Sequence, residues 1–189
     1  MKLAASLLIF AGLTVFSGIF TGEYFFKGYS PKENVISDLG QKVDPTNTSN
    51  KSSIIFNSAM IIAGITIAIA AYLLHSKINN NFVTIPLMVH GIGTAGVGLF
   101  PSTVKPTHLI FAILTFLTVE FAATASFALA DGFTKYFLAA FGVFSFIFLI
   151  GNFAFVKLIG SGAAERLIVY PTTLWLIVFG VFLLSLKRT

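Results

Sequence analysis

The stretch from His108 to Ala130, HLIFAILTFLTVEFAATASFALA, holds 23 residues with no lysine or arginine and a single acid, Glu120. At about 1.5 Å of rise per residue, a run of this length crosses the roughly 30 Å hydrocarbon core of a bilayer as one α-helix. Inside that core every backbone group must find its partner within the segment, and a helix supplies those partners. Working outward, the same reading applies to Val83–Phe100 and Ile54–Leu74 before it, to Tyr136–Leu158 and Leu167–Leu186 after it, and to Leu3–Phe20 at the start. The expectation is an all-α polytopic membrane protein, a six-transmembrane-helix bundle forming a single domain over residues 1–189. The polar segment 22–53, about thirty residues long, and four short links are too small to add domains.

Composition agrees. The chain is 56% hydrophobic and 10% charged with a mean hydropathy of +0.91, where a soluble domain carries about a quarter charged residues. Disordered, collagen-like and disulfide-scaffold classes are excluded with it, and there is no cysteine. The net charge of +5 lies in loops and ends, so it is no argument for nucleic acid. Of twelve lysines and arginines none sits in mid-span, and of seven acids only Glu120 does. The opening MKLAASLLIF is signal-like, but no small-residue cleavage site follows the apolar run, so it is read as the first span.

Six spans put both termini on one face with the links 75–82 and 131–135, and the long loop on the other face with the links 101–107 and 159–166. Basic residues are dilute across the long loop and dense over the very short terminal segments ending in Lys187-Arg188, which favours cytoplasmic termini in a multi-pass cell-membrane protein. The long loop also carries sequons at Asn47 and Asn50, usable only outside the cytoplasm.

Polar chemistry falls in two places. An ionised Glu120 at mid-span costs on the order of 2.5–3.5 kcal/mol, so it calls for protonation, a partner or a wet cavity. His90 lies roughly 15 Å and Glu120 roughly 18 Å from the long-loop face on neighbouring antiparallel helices, so an intramembrane His90–Glu120 pair is expected. Such a pair either relays protons or glues two helices, and with no second intramembrane acid the glue is favoured. On the long-loop face stand Ser37, Asp38, Lys105, His108, Glu165 and Arg166, with Asn57 and Asn152 a turn or two inside. Arg166, Lys105, Asn57 and Asn152 are candidates to hold a lipid headgroup, and Asp38 and His108 to position or activate a nucleophile. The alternative is that these are ordinary helix-end residues. Two histidines at one depth for haem, an HExxH zinc motif, a nucleophile elbow and a P-loop are all missing, so no metal or cofactor is expected. Gly91, Gly93, Gly96 and Gly98 give the third span a small-residue face, for close packing or for a lipid chain.

Ile36-Ser37-Asp38-Leu39-Gly40, Gly98-Leu99-Phe100-Pro101 followed by His108-Leu109, and Glu165-Arg166-Leu167 with Trp175 further on resemble the prokaryotic membrane family called domain of unknown function 998. The resemblance runs over nearly the whole chain in the same order. It implies a six-span bundle and singles out Asp38, His108 and Arg166, while Glu165 departs from the family pattern, which favours Arg166 over it as a functional residue. No activity comes with the resemblance.

The expected function is a lipid-facing polar site on the long-loop face with a binding or structural role and membrane lipids as partners. A lipid-modifying enzyme is the next reading. An accessory subunit with protein partners, to which the 22 phenylalanines suit outward faces, and a small transporter using His90 and Glu120 complete the set.

Overall fold

The computed structural model describes residues 1–41 and 49–186, without the side chains of the first two residues of the second helix. Among them are seven α-helices and no strand: α1 (Lys2–Phe25), α2 (Ser49–His75), α3 (Asn81–Leu99), α4 (Lys105–Ala125), α5 (Gly132–Ile150), α6 (Asn152–Ile159) and α7 (Ser161–Ser185). All but α6 are long and apolar enough to cross a bilayer, so the protein is a polytopic helical membrane protein. Asn47 and the side chain of Asn50, the two sequon positions, lie outside the described residues, as do Lys187 and Arg188.

One expected span divides. The apolar run Tyr136–Leu158 is broken at Gly151, where α5 stops, and continues as the eight-residue α6, which buries no residue. At about 12 Å, α6 is too short to cross. Its Phe153 and Leu158 are exposed, and Lys157 sits 4.2 Å from the Phe153 ring centroid, the make-up of an amphipathic surface helix. Gly160, at φ +95°, then turns the chain into α7; a side chain there would be strained and would also meet the Lys32 carbonyl at 2.5 Å.

Consecutive helices α1 to α4 pack side by side, and α7 returns to α1, so these five form a ring. The ring closes only weakly between α4 and α7, and α5 lies outside that seam, packed on both. α5 buries Leu138, Ala139, Gly142 and Ser145 along one stripe and leaves Phe133, Phe137, Phe144 and Phe146 exposed. A Cβ on Gly142 would stand 2.6 Å from the Glu120 carbonyl, so the missing side chain is what lets α5 reach α4.

The glycines of α3 serve the same end. A Cβ on Gly91 would lie 2.5 Å from the Ala68 nitrogen of α2, and one on Gly93 2.8 Å from the Thr115 nitrogen of α4. At Gly91 and Gly93 the small-residue face therefore serves close helix packing.

Candidate functional site

Five helices in a ring leave a space along the axis, and here it is a cavity of about 70 Å³ running from mid-membrane to the long-loop face. That is room for on the order of five waters or a few methylene groups. Its wall is built from helical stripes. α4 contributes His108, Ala112, Thr115, Phe116 and Val119, and α7 contributes Glu165, Val169, Thr172, Thr173 and Leu176. Both follow the i, i+4, i+7, i+8, i+11 spacing of a single helix face. α3 adds His90, Thr94 and Val97, while α1 and α2 add the apolar Val15, Ile19, Phe56 and Met60.

The loop-face end is covered by the segment from Phe26 to Gln41, whose 3-10 turn Ile36–Gly40 places Ile36 and Ser37 on the cavity. This lid is pinned mainly by the first turns of α7. The Arg166 guanidinium donates to the carbonyls of Pro31 (2.8 Å), Asn34 (3.3 Å) and Gly162 (2.9 Å), to the Tyr29 hydroxyl (3.0 Å) and to the Glu23 carboxylate. The Ile36 N–H donates to Glu165, the Ala163 N–H to the Lys32 carbonyl (3.1 Å), and the Ser161 hydroxyl to the Glu33 carbonyl. Tyr29 in turn donates within the lid, to the carbonyl of Val35 (3.0 Å) or Asn34 (3.2 Å). Burial pushes its phenol up to about 12 against the pull of Arg166, so it is a neutral donor at physiological pH. Gly162 makes the close approach feasible, since a Cβ there would lie 2.1 Å from the Asn34 carbonyl.

These contacts reassign several expected roles. Arg166 is engaged by the lid on both terminal nitrogens and takes no part in lining the cavity, so it is a staple and not an open headgroup site. Glu165, one residue and about 100° away around the helix, is the α7 group that faces the cavity. Asp38 also points away from the cavity. It accepts from the side-chain amides of Gln41 (2.7 Å) and Asn34 (3.4 Å), and Gln41 continues to Ser102 (2.8 Å), tying the lid to the α3–α4 link. Asn57 donates to the Gly40 carbonyl (3.1 Å) beneath the lid. Lys105 is exposed and Asn152 opens α6; neither joins the Arg166 contacts among the described residues. Of the expected headgroup set, none lines the cavity.

His108 lines the loop-face end of the cavity. Its Nδ1 stands 2.8 Å from the Phe100 carbonyl, capping the end of α3. His90 lines the same cavity at the level of Thr115, seven residues beyond His108 and so roughly 10 Å deeper by helix rise, with its Nδ1 2.9 Å from the Thr115 carbonyl. A carbonyl only accepts, so in each neutral ring Nδ1 carries the proton and Nε2 keeps its lone pair. No described residue bonds either Nε2.

The expected His90–Glu120 pair does not form. His90 is taken by Thr115, whereas Glu120, 1% exposed, lies on the α5 side of α4 and is 2.9 Å from the Ser145 hydroxyl. Equal depth brought the two to one level, but their positions around α4 separate them. Ser145 is also 2.7 Å from the Ile168 carbonyl. One hydroxyl proton cannot serve two acceptors, and the carbonyl cannot donate, so the bridge is complete when a protonated Glu120 donates to Ser145 and Ser145 to Ile168. The group thus joins α4, α5 and α7 across the seam of the ring. Glu120 Oε2 is buried without a partner.

The cavity stripes were readable in the sequence as a polar residue followed by threonines and aliphatics at helical spacing, a signal that ranking residues by charge alone overlooks. No curated protein and no solved structure matches the chain. The family model described as Protein of unknown function (DUF998) matches residues 9–182, from within α1 almost to the end of α7, and the chain belongs to that family.

Proposed function

We propose that the protein binds a membrane amphiphile inside the ring, its polar end beneath the lid beside His108 and Glu165 and its first methylenes against Val97, Phe116 and Val169. The observation that supports this most is the shape of the polar distribution: a mainly apolar cavity whose loop-face end gathers Ser37, His108 and Glu165, with only His90 and threonine hydroxyls as polar groups elsewhere on its wall. Ligand sites are mostly apolar concavities with a few convergent polar groups, and this cavity has that composition. In this reading the lid faces the outside of a cell membrane and both termini the cytoplasm, on the strength of the dense short basic segments at the terminal face.

The test is native mass spectrometry of protein taken from its own membranes. The wild type should retain a lipid of defined mass, and Ala112→Phe and Val97→Phe, which fill the cavity, should lose it while keeping the wild-type melting temperature within a few degrees. Retention of the same lipids by both filled variants would overturn the proposal.

A second reading rests on one observation, that His108 keeps a bare Nε2 at the cavity end shared with Glu165. A base and a carboxyl on one bound group suit acid–base chemistry. Turnover of membrane lipids by wild type, abolished in His108→Ala, would establish it.

A further inference from the structure

The cavity's hydrogen-bonding character is one-sided. Each of its four threonines donates its hydroxyl proton to a carbonyl of its own helix: Thr94 to His90 (2.9 Å), Thr115 to Phe111 (2.8 Å), Thr172 to Ile168 (3.1 Å) and Thr173 to Val169 (2.8 Å). Their proton is thereby spent, and what each hydroxyl has left is lone pairs. The two histidines spend their Nδ1 protons on the Thr115 and Phe100 carbonyls, leaving bare Nε2 atoms. Glu165 receives the Ile36 N–H and is the one acid on the wall. The lining holds no lysine or arginine, and Arg166 is consumed by the lid. Apart from a carboxyl proton on Glu165, only the Ser37 hydroxyl remains uncommitted as a donor among the described lining residues.

From this, and resting on the reading of the cavity as an amphiphile site, we infer that the bound polar group is a hydrogen-bond donor without charge: the hydroxyl of a long-chain alcohol or of an acylglycerol. Acceptors on three helices receive a hydroxyl proton, and Ser37 can return one to the hydroxyl oxygen. A phosphate or carboxylate would face mostly lone pairs with no lysine or arginine on the wall to neutralise it, so that a histidine would have to take up a proton in a buried place to hold it. An ammonium would leave water for a small, mainly apolar space with a single acid. The space itself, about 70 Å³, suits a hydroxyl and a few methylenes.

Four probes of equal chain length separate the elements: dodecanol, dodecyl phosphate, dodecylammonium and dodecane, each titrated into the full chain in nanodiscs with the melting temperature followed. Dodecanol is expected to give a saturable rise, because a ligand bound only by the folded state stabilises it. Dodecyl phosphate and dodecylammonium should give none, and dodecane a smaller one. In protein with nitrogen-labelled histidine, dodecanol should move the Nε2 resonances of His90 and His108 and leave His75 in place. Thr172→Val, close in shape but lacking the acceptor, should weaken dodecanol about three- to tenfold, the loss of one hydrogen bond. His108→Phe should weaken it at least as much. A rise with dodecyl phosphate or dodecylammonium equal to that with dodecanol, or an equal rise with dodecane, overturns the hydroxyl assignment and leaves the amphiphile site standing. No rise with any probe, and a cavity holding only water, overturns both.

Discussion

Replacing Arg166 by methionine keeps most of the aliphatic stem and removes every hydrogen bond that the guanidinium makes to the lid. Glu23 is then left facing Tyr29 with no cation. In the intact pair the side chains of Arg166 and Glu23 are only 11% and 18% exposed. Breaking a buried pair from one side costs about 3–5 kcal/mol, and the residual exposure places this one near about 3 kcal/mol. Glu23→Gln leaves Arg166 its carbonyl and Tyr29 partners and a neutral acceptor besides, so about 1–2 kcal/mol is expected. In the double variant no orphaned charge remains, and its cost should fall short of the sum of the two by at least about 1 kcal/mol. The Ile36 amide is the natural reporter, because its one partner is Glu165 across the lid–α7 contact. Hydrogen exchange at Ile36 should quicken on the order of 100-fold in Arg166→Met, while amides in mid-α2 and mid-α3 keep their protection. Exchange at Ile36 within about threefold of wild type, or single effects that add to within about 0.5 kcal/mol, would refute the staple.

Glu120→Gln should be nearly neutral, within about 1 kcal/mol by thermal unfolding, since its amide donates to Ser145 as the protonated acid does; Ser145→Ala strands both neighbours and should cost about 1–3 kcal/mol. Gly91→Ala must push α2 from α3 against the Ala68 backbone and should cost about 1–3 kcal/mol or more, whereas Gly22→Ala, first meeting Leu39 at 3.4 Å, should leave the melting temperature within a few degrees. Tyr29 binds its proton more tightly folded than free, about 12 against 10.0, so its contribution is complete below pH 10 and is lost as the pH rises through 12. The melting temperature of the wild type should therefore fall more steeply across that window than that of Tyr29→Phe.

The spans were legible because hydrocarbon tolerates so few sequences, and the faces followed from counting crossings. The break at Gly151 was not, since hydropathy runs unbroken from Tyr136 to Leu158 and the signal is one glycine before one asparagine. At the site, sequence located the right end of the right helices but not their rotation. Glu165 and Arg166 are neighbours in the chain that serve opposite sides of α7, and His90 and Glu120 share a depth without sharing a side of α4. Asp38 was drawn into the candidate site by the family resemblance and by its place on the long-loop face, while the tight turn in which it sits sends Ser37 to the cavity and the aspartate to Gln41. Charge attracted attention to Arg166, whose two terminal nitrogens are taken up locally by lid acceptors that no reading of composition could count.

The separation in sequence between the lid and its fastening has a consequence for biosynthesis. Ile36 and Glu165 are 129 residues apart, and Glu23 and Arg166 are 143 apart. A ribosome therefore delivers the cover long before the helix that locks it, and for all that interval Tyr29, Ile36 and the acid of Glu23 wait unfastened at the membrane surface. The chamber exists only once α7 has entered the bilayer and closed the circle against α1. A nascent chain halted before that helix presents an open trough and a loose loop, and in a molecule that has passed it the cover is fastened by residues from the far end of the chain.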